Sequence, residues 1–151
     1  MVEDVRDSSS AQGRHITLTL PMAADMELTA SKTACALGEH IRMSADKVDE
    51  VRMAVVEACI NAFEHSKAEN EQVRIDFRVL GDESEPDGLE IAVRDSGVGF
   101  MPDQVAEPAI EEKLKSNRKR GWGLKIIGGL MDEVNIESDE HGTVVTMRKM
   151  R

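Results

Sequence analysis

No apolar run in the 151 residues approaches the ~20 needed to span a bilayer. Nor does the stretch from Met1 to Arg14 hold an apolar signal core, so cytosol is the expected compartment. Positive charge is short: 19 Lys and Arg against 29 Asp and Glu leave a formal charge of −10, which argues against broad binding to nucleic acid or to anionic membranes. An acidic protein that holds an anion must do so with local devices. Cysteine is scarce, and Cys35 and Cys59 fit no metal-ligand spacing; each falls in a helical pattern and reads as a buried reduced thiol. There is no internal repeat and no clear linker, and the length suits one domain. The expected division is a disordered, polar lead-in over 1–13, with Ser8-Ser9-Ser10, and a single domain over 14–151.

What is present is organised around Glu57-Ala58-Cys59-Ile60-Asn61-Ala62-Phe63-Glu64-His65. At 100° per residue, Glu57, Asn61 and His65 share one narrow stripe with Glu64 alongside, while Val51, Val55, Val56, Cys59, Ala62 and Phe63 cover much of the remaining surface. A helix apolar on most sides sits inside a domain, so its polar stripe needs partners or a cavity to face. The stripe reads as the floor of a ligand pocket. Around it the periodicities predict a strand over 16–20 ended by Pro21, a helix over about 22–42, and Ser44 as N-cap of the organising helix over about 45–65. Alternation then predicts a hairpin over 73–94 with a turn from Gly81 to Gly88, a short helix over 124–131, and a final hairpin around Asp139 to Gly142.

Two glycine motifs follow the stripe. Asp95-Ser96-Gly97-Val98-Gly99 ends a strand, aims a carboxylate out of the sheet end and lets a ligand approach the main chain at Gly97 and Gly99. That carboxylate suits an exocyclic amine such as that of adenine; taken alone, the motif also occurs in ordinary turns. Gly121-Trp122-Gly123 opens a helix at Leu124, where free N–H groups and the positive dipole end favour an anion. It lacks the third glycine of the dinucleotide fingerprint and the Gly-Lys-Ser or Gly-Lys-Thr of a P-loop. Arg118, Lys119 and Arg120 just before it are phosphate clamps or a solvated charged loop. Asn61 can give an amide oxygen to Mg²⁺, and Glu57, one turn earlier, can accept or orient a proton in phosphoryl transfer. His65 reads as a hydrogen-bonded support at the helix end.

Glu57-x-x-x-Asn61, Asp95-x-Gly97-x-Gly99 and Gly121-x-Gly123, in this order, resemble the ATP-binding domain shared by gyrase, Hsp90, histidine kinases and MutL. Within it the chain is most similar to the bacterial anti-sigma-factor serine/threonine kinases of the RsbW and SpoIIAB group. The features behind this are Glu-Ala-x-x-Asn-Ala ending in His65, Glu107-Pro108, the basic residues before Gly121, and Met131-Asp132-Glu133-Val134. The resemblance implies an α/β two-layer sandwich, helices on one face of a mixed, mainly antiparallel sheet, with a lid at about 100–120. It implies ATP and Mg²⁺ as cofactors and phosphorylation of a STAS-domain antagonist, with a sigma factor as second partner and a homodimer among the assemblies. By matching position, Glu57 is the catalytic base and Asn61 the Mg²⁺ ligand. Asp95 is the adenine contact, and Gly97, Gly99, Lys119, Arg120, Gly121, Gly123 and Leu124 are nucleotide-binding. The phosphate-contacting basic residue falling on Lys119 or a neighbour, and Trp122 between the glycines, depart from the family pattern. Two other readings remain: the ATPase half of a histidine kinase system, with His40 inside the domain's own first helix, and a non-catalytic nucleotide-dependent binding module.

Overall fold

The computed structural model describes residues 14–65, 72–95 and 122–151, with the side chains of His65 and Trp122 outside that description. The lead-in over 1–13, the lid at about 100–120, and the site candidates Gly97, Gly99, Lys119, Arg120 and Gly121 all lie outside the described residues. The element order is β1 (His15–Pro21), α1 (Met26–His40), α2 (Ala45–His65), β2 (Gln72–Gly81), β3 (Pro86–Asp95), α3 (Trp122–Leu130), β4 (Glu133–Asp139) and β5 (Gly142–Met150).

The five strands form one sheet in the order β1-β2-β3-β5-β4, and every pairing among them is antiparallel. Strand alternation sorts the side chains. Val73, Ile75, Phe77 and Val79 of β2 lie opposite Asp95, Val93, Ile91 and Leu89 of β3, and Val93 and Ile91 lie opposite Val145 and Met147 of β5. The apolar residues of this set are buried, and they meet Val51, Ala54, Val55, Ala58 and Cys59 of α2 in one core. The helices therefore cover one face, as a period-2 apolar set requires. The other face is charged. Asp76 accepts hydrogen bonds from Thr17 at 2.7 Å and Arg94 at 3.4 Å, while Glu90 is held by Arg78 at 3.0 Å and Arg148 at 2.7 Å.

Three boundaries differ from those the sequence predicts. Helix α1 begins at Met26 rather than 22, because Asp25 is left-handed at φ 72 and Ala23 N–H bonds back to Pro21, so helical propagation cannot start earlier. Strand β3 begins at Pro86: Gly81, at φ +85, turns the chain at once, and Pro86 pairs opposite it at the ladder's end. Helix α3 begins at Trp122, so it takes in Gly123 as well as Leu124. Helix α2 starts where Ser44 predicts, with Lys47 N–H reaching the Ser44 hydroxyl at 3.3 Å. Cys59 is buried, but Cys35 on α1 is only half-buried, because its position lies between the core and solvent.

Candidate functional site

Helix α2, which carries the site candidates Glu57 and Asn61, is anchored near its start. Near its start, Lys47 Nζ donates to the carbonyl of Met150, and Met150 pairs with Gly88 at the beginning of β3. The helix is 21 residues long, about 30 Å at 1.5 Å per residue, close to the span of a ten-residue strand. Its second half therefore arrives at the opposite end of the sheet, where β3 ends in Asp95. Asn61, in that half of the helix, is 7% exposed, with buried alanine, valine and cysteine around it on α2. Glu57 is half-buried one turn earlier, and Glu64 is exposed.

Helix α3 runs antiparallel to α2 and brings a helix N-terminus to the same place. A Cβ built on Gly123 would lie 3.5 Å from Oε2 of Glu57, so the first turn of α3 rests beside that carboxylate. At the other end of α3, the ammonium of Lys149 donates to the Leu130 carbonyl at 2.6 Å and to Glu50 Oε2 at 2.5 Å. Seven residues separate Glu50 from Glu57 and seven separate Gly123 from Leu130, about 10 Å along either helix. The two contacts thus fix where the α3 N-terminus stands relative to Glu57 and Asn61. Unpaired N–H groups of a first helical turn favour anionic oxygen, and a buried amide one turn beyond Glu57 offers an oxygen donor for a metal ion.

Asp95 is the last residue of β3, half-buried, paired with Val73 on one side and Thr143 on the other. It borders a cleft of about 390 Å³ together with Ser138 and Gly142 of the β4–β5 hairpin. Thr143, 2% exposed and hydrogen-bonded to Ser138 at 2.9 Å, was not singled out by the sequence, and neither was buried Lys149. The signal for both was strand parity, since 143 and 149 share the face of Val145 and Met147. Of the ten candidates, Glu57, Asn61, Asp95, Gly123 and Leu124 are described; Gly123 stands beside Glu57, and Asn61 lies one turn further along α2.

The description "Histidine kinase-like ATPase domain" matches residues 21–149. The chain belongs to that ATPase family. Among its histidine kinase-like ATPase relatives, the serine-protein kinase RsbW of Halalkalibacterium halodurans is 28% identical over 91% of this chain and 84% of that protein. The RsbW of Oceanobacillus iheyensis is 27% identical over 89% and 85%. Two solved structures share the fold. One contains the RsbU and RsbW domains of a Mycobacterium tuberculosis protein, with a TM-score of 0.64 and 18% identity, covering 91% of this chain and 32% of that longer one. The other is the SiaB-SiaC complex of Pseudomonas aeruginosa, with a TM-score of 0.63 and 13% identity, covering 99% and 96%. The α/β two-layer arrangement expected from the sequence is the family's, with helices packed on one face of the sheet. No helix among the described residues is long and apolar enough to cross a membrane.

Proposed function

We propose that the chain is an ATP-dependent serine/threonine protein kinase of the anti-sigma type. It phosphorylates a STAS-domain antagonist and, in the alternative partnership, sequesters a sigma factor. The observation that carries this reading is the first turn of α3 resting beside Glu57, one helical turn from the buried amide of Asn61. Relatives named as serine-protein kinases over nine-tenths of the chain support it.

ATP with Mg²⁺ supplies the phosphoryl group. The donor set fits such a guest: an amide oxygen for the ion, backbone N–H groups for phosphate oxygens and a carboxylate for the adenine amine. Asn61 would hold the metal, since an octahedral ion completes its shell with waters and phosphate oxygens rather than a protein cage. Asp95 would accept the hydrogen bond from adenine and set the register of the base. Gly123 and Leu124 would turn their backbone N–H groups to phosphate. Glu57, which lies beside Gly123, would take the proton from an incoming serine or threonine hydroxyl. Gly97, Gly99, Lys119, Arg120 and Gly121 belong to the same proposal from sequence alone.

The test is incubation of the chain with γ-labelled ATP, Mg²⁺ and candidate STAS proteins. Glu57→Ala is expected to keep ATP affinity and lose phosphotransfer, roughly 10²-fold or more. An active Glu57→Ala protein would remove the base from the mechanism. Asp95→Ala is expected to abolish nucleotide binding by calorimetric titration, and an unchanged affinity refutes the adenine role. Retained binding in wild type with no transfer to any STAS protein would favour the binding-module reading.

A further inference from the structure

At the end of the sheet remote from Asp95, three arginines and a histidine gather. Arg14, His40, Arg42 and Arg151 line a cavity of about 250 Å³ whose floor and rim also include Glu83 and Pro86 of the β2–β3 turn. Strand β3 separates this cavity from Asp95 by about 30 Å. It is no part of the nucleotide region.

In a chain of formal charge −10, most arginines should find carboxylates. Arg74, Arg78, Arg94 and Arg148 do so on the sheet. Arg14, Arg42 and Arg151 make no ion pair with a carboxylate among the described residues. Arg14 instead contacts the ring of His40 through Nη1, and its buried Nε, like that of Arg78, has no hydrogen-bond partner among the described residues, but unlike Arg78 it has no carboxylate beside its other nitrogens. A buried guanidinium N–H left unsatisfied is costly unless something accepts from it.

Arg42 adds an independent observation. Helix α1 ends in a Schellman motif: Met43 N–H donates to Gly38 O at 2.9 Å and Arg42 N–H to Glu39 O at 3.0 Å. The residue after the cap must then be left-handed, a position glycine normally fills. Here it is Arg42 at φ 63. A side chain is kept where the backbone favours none, and it lines the cavity. The dipole at the end of α1 favours a cation nearby, but one cation would serve it. Arg151 is held in place by its own N–H, which donates to the Asp87 carbonyl at 2.7 Å.

We propose that Arg14, His40, Arg42 and Arg151 form a second anion site, remote from the nucleotide region, that binds a phosphate group as inorganic phosphate or as a phosphate monoester. Planar guanidinium forks suit tetrahedral oxyanions, and the three guanidinium groups outnumber the one carboxylate side chain, Glu83, that lines the cavity. The site does not depend on kinase activity.

The test is an NMR titration of the isotope-labelled full chain with inorganic phosphate, with chloride at matched ionic strength as control. Wild type is expected to show saturable shifts in residues 40–43 and 81–86 and in the arginine side-chain signals. The double variant Arg42→Asn, Arg151→Gln changes two exposed residues and keeps a left-handed-tolerant residue at 42, so its spectrum elsewhere reports an intact fold. It should bind phosphate roughly tenfold more weakly or worse. Phosphoserine in place of phosphate identifies the source: tighter binding points to an ester, weaker binding to the free ion. Equal shifts with chloride, shifts confined to residues 122–124, or full affinity in the double variant would each overturn the proposal.

Discussion

Cys59 sits between Glu57 and Asn61 in sequence and faces the core, where burial pushes its thiol up to about 12, with the Glu27 carboxylate adding to the effect. Thiol reagents attack the thiolate, so Cys59 should be inert in the native protein at neutral pH. Cys35 is raised as well, by burial first, but is only half-buried and should react first. Labelling with a chromogenic disulfide before and after adding urea checks this: one slow thiol in the folded chain, two fast ones once it is unfolded. Two fast thiols in the native state would contradict the packing of α2. At the same scale, Asn61 was legible because an amide recurs four residues from Glu57 on an otherwise apolar helix. Lys149 was not, because a lysine near the end of a sequence reads as solvated until α3 and α2 close over it.

Helix α3 depends on its partners more than on its own sequence. It is short and carries Gly123, Gly128 and Gly129, each costing about 0.5–1 kcal/mol relative to alanine in a helix interior. What offsets this is burial of Ile127 and the capping of Leu130 by Lys149. Lys149→Met removes the cap and leaves Glu50 and the Leu130 carbonyl without their donor. Glu50 is partly exposed, which limits the loss to about 2 kcal/mol. Urea unfolding measures that loss. A parallel nucleotide titration should show weaker binding through a loosened α3 N-terminus, whereas Lys149→Arg should restore part of both. Unchanged affinity in a destabilised Lys149→Met protein would detach the clamp from the site. The elements themselves were readable from strand parity at 73–79 and 89–93 and from Ser44. Their ends were not: Asp25 and Gly81 decide two boundaries through left-handed backbone that composition does not announce.

Across the whole molecule, stability against acid has a named contributor. Burial alone would raise the carboxyl of Asp76, but the Thr17 hydrogen bond and the Arg74 and Arg94 guanidinium groups outweigh it and hold it below the usual carboxylate range. A depressed folded value means that this stabilisation is present above the unfolded value near pH 4 and is lost as pH falls through that value and then the folded one. The urea midpoint should fall below about pH 4, and Asp76→Asn should flatten that fall while lowering stability at neutral pH by about 1 kcal/mol. A midpoint profile identical in the two proteins would remove Asp76 from the account. The charged face itself was visible in the sequence as the alternation Arg74, Asp76, Arg78. Which cation meets which carboxylate was not, because it depends on the register of four strands.

The matched spacing of α2 and α3 has a consequence for how such a sequence can change over generations. Glu57 beside Gly123 and Glu50 tied through Lys149 to Leu130 are the two ends of one gauge. Deleting one residue between either pair rotates everything beyond it by about 100°. A change of length along either helix between these contacts is therefore costlier than an exposed substitution, because it shifts the Glu57–Gly123 contact out of step with the Lys149 clamp.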